Sequence, residues 1–232
     1  MEKQKNKAHL ELFLEDAVFE ERISRFSAWV IWHGERVLAH VPNSGRLGEL
    51  LRPGVRARVR PGGGAKTACR LMMVEHEDSW ALIDAHMTND ILEYAVQSGW
   101  LMDDPYDIRR EVKFGQSRLD LGCRNAEGFH LVEAKCVTLV EDKTALFPDA
   151  PTERGVRHLR ELIRAQESGF TAHAAFFVQQ AGAETFSANR TMDPAFADTL
   201  EEASQAGVRI HVIECVITED HVVLCRKLPW LH

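Results

Sequence analysis

The five cysteines, Cys69, Cys123, Cys136, Cys215 and Cys225, are odd in number, widely scattered and without a C-x-x-C pair. A disulfide framework or a zinc ribbon is therefore not expected, and a reducing cytoplasm is the compartment this usage fits. No apolar run approaches the ~20 residues needed to cross a bilayer, so no transmembrane helix and no membrane partner are expected. The stretch Met1–Lys7 is polar and lacks the apolar core of a secretory signal. Eleven histidines include no H-E-x-x-H, and no G-x-S-x-G marks a serine hydrolase. The run Gly62-Gly63-Gly64 is followed by no G-K-[ST], so it reads as a turn and not as a phosphate loop.

What is present is a globular composition: 232 residues, 45% hydrophobic and 27% charged, with a formal charge of −7. The charge is unevenly placed. Residues 1–83 carry 13 basic and 11 acidic side chains, and residues 84–232 carry 15 basic and 24 acidic. Within the first part, residues 46–70 hold seven basic groups against the single acid Glu49. Polyanion binding depends on local patches of this kind and not on net charge.

The two parts also differ in periodicity. Up to residue 83 the chain reads as short strands and turns: 17–23, 26–32, 36–41, 55–60, 68–74 and 80–83, with a helical turn or two at Leu47–Leu51. Five or six short strands and one small helix suggest a small β-barrel of the OB type over 1–83. In Val55–Arg60 the apolar residues alternate strictly with Arg56, Arg58 and Arg60. That basic face is either a solvated edge that discourages aggregation or a phosphate-tracking face. Trp29, Trp32, Trp80 and Phe26 are expected to serve mostly as core, with base stacking as the other use.

From residue 84 the order is helix, three strands, helix, strand, helix, strand, a mixed α/β domain over 84–232. The helices are expected at Thr88–Gln97, with Asn89 as a cap, at Thr152–Ser168, and at Pro194–Ala206. Asn125–Gly128 turns between two strands, so Asp120 and Glu133 lie on the two arms of one hairpin. Glu133 and Lys135 are two apart on a strand and share a face. Two carboxylates at one end of a sheet suit Mg²⁺ (or Mn²⁺), which takes one or two carboxylates together with waters and phosphate oxygens. A neighbouring lysine orients water or neutralises charge on phosphate. An E-x-K is commonly an exposed ion pair, but Leu131-Val132 and Cys136-Val137 make this strand a buried one, where charges require a reason.

Several blocks carry a resemblance. Glu111-Val112-Lys113-Phe114-Gly115, Ser117-Arg118-Leu119-Asp120, Val132-Glu133-Ala134-Lys135 and Phe147-Pro148-Asp149-Ala150-Pro151-Thr152-Glu153-Arg154-Gly155, with Arg22, Arg25-Phe26 and Val41–Leu47, are similar to the sugar fermentation stimulation protein A (SfsA) family. The resemblance spans nearly the whole chain and implies an N-terminal OB-like domain, a C-terminal domain similar to the PD-(D/E)XK nucleases, and DNA as partner, with RNA not excluded. Asp120, Glu133 and Lys135 fall on the D…E-x-K positions. Glu93 corresponds to the acidic first-helix position of many such nucleases, as a third metal ligand. Where the family commonly has Asn-Arg-Leu, this chain has Asn89-Asp90-Ile91, and Asp120 is followed by Leu121 where Phe is common.

Further site candidates are Glu111, Asp149, Glu153 and His158, with Arg118 as a nucleic-acid contact. On the 152–168 helix Arg154, Arg157 and Arg164 fall within roughly 80° of one another at 100° per residue, as a phosphate-facing stripe or as a solvated face paired with Glu153 and Glu161. Cys136 is expected to pack in the core. Two functions follow: a metal-dependent DNA nuclease, or a non-catalytic DNA-binding regulator of sugar metabolism that retains the nuclease fold.

Overall fold

The computed structural model describes residues 9–231. Period-2 alternation builds the barrel. Strands β2 (Glu15–Ser24), β3 (Ser27–Trp32), β4 (Glu35–His40), β5 (Arg56–Gly64), β6 (Thr67–His76) and β7 (Ser79–Leu82) form one sheet in the order β4-β3-β2-β5-β6-β7; β1 is the strand His9–Glu11 before them. Parallel pairing of Ala39 with Cys69 and His40 with Arg70 closes it into an OB barrel. Ala57 and Val59 of β5 are buried while Arg56, Arg58 and Arg60 turn away from that core. Leu47 and Leu50, both 1% exposed, close one end of the barrel through a helical turn in which the Leu51 N–H donates to the Leu47 carbonyl at 2.9 Å. Pro61–Gly64 continues β5 and is not the turn expected there; Gly64 pairs with Thr67, so the chain reverses one step later.

Behind the barrel come α1 (Met87–Gln97), β8 (Tyr106–Phe114), β9 (Ser117–Asn125), β10 (Gly128–Val137), β11 (Leu139–Glu141), β12 (Thr144–Phe147), α2 (Glu153–Glu167), β13 (Thr171–Val178), β14 (Thr185–Ala188), α3 (Pro194–Gln205), β15 (Arg209–Ile217), β16 (His221–Lys227) and β17 (Trp230–Leu231). A seven-stranded sheet runs β1-β16-β15-β13-β10-β9-β8, with β10, β13 and β15 parallel. Residues 9–11, placed by sequence in the barrel segment, instead pair with β16 of this sheet: Leu10 lies opposite Val222. Three residues carry too little periodicity to reveal a partner more than 200 positions away.

Helix α1 packs on one sheet face together with Met72, Met73, Trp80 and Leu82 of the barrel. Helices α2 and α3 pack on the other through Leu159, Leu162, Phe196 and Leu200. Thr152 caps α2, accepting from the Gly155 N–H at 3.0 Å, and Asp193 caps α3 while also accepting from the Thr152 N–H at 2.8 Å. For α1 the cap is His86, without a side-chain bond, and Asn89 lies inside the helix. The four short strands β11, β12, β14 and β17 form a separate sheet that holds Phe147 and thereby the loop leading to α2. Among the described residues no helix is long and apolar enough to cross a membrane.

Candidate functional site

The β9–β10 hairpin sets the site. Its ladder runs from Asn125 opposite Gly128 to Leu121 opposite Val132. Asp120 and Glu133 are the next residues out, where the strands part, and the Asp120 carboxylate accepts from the Ala134 N–H at 2.8 Å in place of a strand carbonyl. The opened hairpin forms the floor of a cavity of about 520 Å³ lined by Asp120, Glu133, Lys135, Asp149 and Arg154. Its opposite wall is the barrel: Arg25 and the loop Asn43-Ser44-Gly45.

Glu133 is 3% exposed and its Oε1 is held by the Lys135 ammonium and by His158 Nδ1. His158 Nε2 accepts from Arg154 Nε at 3.3 Å, so the imidazole donates through Nδ1. Glu133 Oε2 is buried with no hydrogen-bond partner. Burial acts to raise the Glu133 carboxyl, but the Lys135 charge and the His158 hydrogen bond outweigh it and hold the group down at about 2. Burial, reinforced by the Glu133 charge, pushes Asp120 up to about 6. Burial likewise pushes the Cys136 thiol up to about 12, so this cavity-lining cysteine carries no thiolate at neutral pH.

Two carboxylates lining one cavity, one with an unpartnered oxygen and the other made less acidic chiefly by burial, match the oxygen-donor chemistry of a hard divalent cation. Among the described residues no group of three or more His, Cys, Asp or Glu side chains is arranged to hold a metal, so waters and phosphate oxygens would complete the shell. Glu93 is not brought to the pair. Its Oε2 binds Arg110 Nε at 2.5 Å and its Oε1 accepts from Gln97 at 3.2 Å. Asp90 binds the same Arg110 at 2.8 Å.

The other residues singled out by sequence fall into two groups. Asp149, Glu153, Arg154 and His158 surround or support the cavity. Asp149 also joins the domains: its Oδ2 accepts from the Arg46 N–H at 3.0 Å and sits against Gly45, where any side chain would collide with it. Arg22 braces the same loop, donating to the carbonyls of Arg25, Asn43, Gly45 and Arg46. The remaining arginines form the second group, and most are neutralised; Arg157 lines a cavity along α2 without a carboxylate partner among the described residues. Arg56 pairs with Glu75 and Glu219, and Arg58 with Asp16, so of the expected basic face Arg60 alone reaches a cavity beside Asp120. Arg118 is 3.7 Å from Glu111, and Arg164 pairs with Glu161. Of the four aromatics expected mostly as core Trp80 alone is buried; Trp29 and Trp32 are half-buried, and Phe26 is 48% exposed beside Arg25. Sequence reasoning missed Asn43–Gly45 as a wall of the site, although the Pro42–Leu47 block was already distinctive.

An OB barrel set against a mixed sheet whose parted hairpin carries D…E-x-K defines a protein of the OB plus nuclease-like α/β class. A family model described as "SfsA N-terminal OB domain" matches residues 21–83, and one described as "Sugar fermentation stimulation protein RE domain" matches residues 86–221. The chain belongs to the sugar fermentation stimulation protein family. It is 40% identical over 216 residues to a homolog from Alkaliphilus metalliredigens, covering 90% of this chain and 93% of that one. A homolog from Pyrobaculum islandicum is 40% identical over 213 residues, covering 91% and 92%. The solved structure of Pyrococcus furiosus SfsA in complex with Ca²⁺ superposes with a TM-score of 0.90 at 29% identity, covering 97% of this chain and 99% of that one.

Proposed function

We propose that the protein binds DNA and hydrolyses phosphodiester bonds with a divalent cation, Mg²⁺ or Mn²⁺, held by Asp120 and Glu133. The observation that carries this reading is the buried, unpartnered Oε2 of Glu133 in a cavity that a second carboxylate, Asp120, and two arginines, Arg25 and Arg154, also line. The relative from Pyrococcus furiosus is solved with Ca²⁺, a cation of the same oxygen-seeking kind. When bound, the cation would supply Lewis-acid polarisation of the phosphate. His158 keeps the Glu133 carboxylate in place, and Lys135 holds the attacking water or offsets charge on the phosphoryl oxygens. Hydrolysis adds water across one ester bond: the water oxygen bonds to phosphorus, the P–O bond breaks, and the leaving oxygen takes the proton.

A second reading, a DNA-binding regulator without turnover, is favoured by the engagement of Glu133 Oε1 with both Lys135 and His158 and by the fact that, among the described residues, no third His, Cys, Asp or Glu is arranged with the pair to hold a metal. One experiment separates the two. Single- and double-stranded DNA and RNA are incubated with the full chain in Mg²⁺, Mn²⁺ or EDTA, beside Glu133→Ala, and binding is recorded at two salt concentrations. Cleavage that needs the cation and vanishes in the variant establishes the nuclease; salt-sensitive binding without cleavage selects the regulator; neither binding nor cleavage overturns both.

A further inference from the structure

The cavity above the carboxylates is one of three that run together. A second, about 500 Å³, shares Pro151, Thr152 and Glu153 with it and continues along α2 past Arg157, Arg160 and Arg164. A third, also about 500 Å³, shares His86, Asn89, Asp120 and Arg154 with it and continues toward the barrel past Arg60, Arg70 and Arg110. Asp120 and Glu133 thus line the middle cavity of an adjoining row and not one at its end.

The cations along this groove are of two kinds. Arg70 is bound to the buried Asp84, Arg110 to Asp90 and Glu93, and Arg164 to Glu161. Among the described residues Arg60 and Arg154 on one side, and Arg157 and Arg160 on the other, have no carboxylate partner. Arg60 touches the Met87 sulfur, and Arg154 touches the His158 ring. The acids of the second cavity are largely engaged: Glu161, 2% exposed, takes Arg164 and the Gln116 N–H, and Asp193 takes the N–H groups of Thr152 and Phe196. Glu153 stands open at the mouth shared with the first cavity. In a chain of net charge −7, most exposed arginines are neutralised by a neighbour. Unpaired ones on both flanks of a carboxylate pair mark where phosphates lie.

We infer that the groove is a two-sided track for one DNA strand, with a phosphate subsite on each side of the Asp120–Glu133 pair: Arg60 and Arg154 toward the barrel, Arg157 and Arg160 along α2. The inference rests on the DNA reading above and deepens it by stating where the strand lies. A strand held on both flanks presents an internal bond to the pair, so no free end is required.

The test uses the full chain, a single-stranded DNA circle and the same sequence opened into a linear strand. Binding is measured in EDTA over a salt series for the wild type, Arg60→Ala, Arg160→Ala, their combination, and Arg190→Ala, whose side chain pairs with Asp198 and Glu201 away from the groove. Each groove substitution is expected to reduce the salt slope by about 0.7 and the combination by about 1.4, the value per phosphate for single strands. Arg190→Ala is expected to leave the slope unchanged. In Mg²⁺ or Mn²⁺ the circle is expected to be cut as the linear strand is. A slope that responds to one flank alone, or a linear strand cut while the circle stays intact, overturns the two-sided track and leaves the nuclease reading standing. A wild type that neither binds nor cuts either form overturns both.

Discussion

His130 and Glu133 lie three residues apart on β10, both buried, and they show two ways of placing a polar group inside a sheet. At the His130 end the ring nitrogens of His130 and His173 are all engaged in one relay of hydrogen bonds. The Glu127 N–H donates to Asn125 Oδ1 at 2.7 Å, which orients that amide; Asn125 Oδ1 then accepts from His130 Nε2 at 2.6 Å. His130 Nδ1 must accept from His173 Nε2 at 2.9 Å, and His173 Nδ1 from His211 Nε2 at 2.9 Å. One amide thus dictates the tautomer of three neutral imidazoles across β10, β13 and β15. Burial lowers His173 to about 2 and His211 to about 4. At the Glu133 end the groups are charged, one oxygen is unpartnered, and Asp120 is held at about 6. A neutral, mutually satisfied relay stabilises the fold; a charged cluster with an unpartnered oxygen is the kind of arrangement found at functional sites.

His173→Ala breaks the comparison most severely. It orphans two buried ring nitrogens at roughly 2 kcal/mol each, a loss of about 4 kcal/mol in urea unfolding. The pH profile of the wild type shows the same network from the other side. The folded values of His173 and His211 lie below the ordinary 6.5, so their contribution is complete above about 6.5 and is lost as pH falls, down to about 4 for His211 and about 2 for His173. Thermal melts below pH 6 should therefore fall steadily. Asp120 runs the opposite way: its folded value is raised, so its contribution is present below 3.8 and lost as pH rises through about 6. Asp120→Asn is expected to stabilise the protein at pH 7 by about 2 kcal/mol. On the proposed site, Mg²⁺ or Mn²⁺ should raise the melting temperature of the wild type and not that of this variant; a variant that still responded to the cation would remove Asp120 from the site.

Smaller effects sharpen the contrast. His158→Ala leaves the Glu133 carboxylate unsupported and should weaken the cation by about 10–100-fold in calorimetry without unfolding the chain. Glu93→Ala removes an exposed pair with Arg110, costs about 0.5 kcal/mol or less, and should leave the heat of cation binding unchanged. A lost heat there would bring Glu93 back into the metal shell.

The hairpin was legible in the sequence because its turn is local: Asn125 and Gly128 set the register, and counting outward puts Asp120 opposite Glu133. The same local signals gave the helices at 153–167 and 194–205 to within a residue or two. What the sequence hid depends on partners far along the chain. Nothing in spacing links His130, His173 and His211, which become neighbours when β10, β13 and β15 align. The pairing of Arg110 with Glu93, and of Arg56 and Arg58 with Glu219 and Asp16, depends equally on tertiary approach.

The placement of β1 changes what the barrel is. The chain first lays Leu10 and Leu12 into the core beneath the seven-stranded sheet, with the Leu12 N–H donating to the Asp220 carbonyl at 2.6 Å; it then builds the barrel, and only afterwards returns to complete the sheet. In topological terms the barrel is an insertion into the α/β domain and not a module fused ahead of it. A fragment cut at residue 84 would uncover the edge of β16, a ready template for pairing with other chains. Excising the barrel and rejoining the sheet across the gap would be the truncation that respects the architecture.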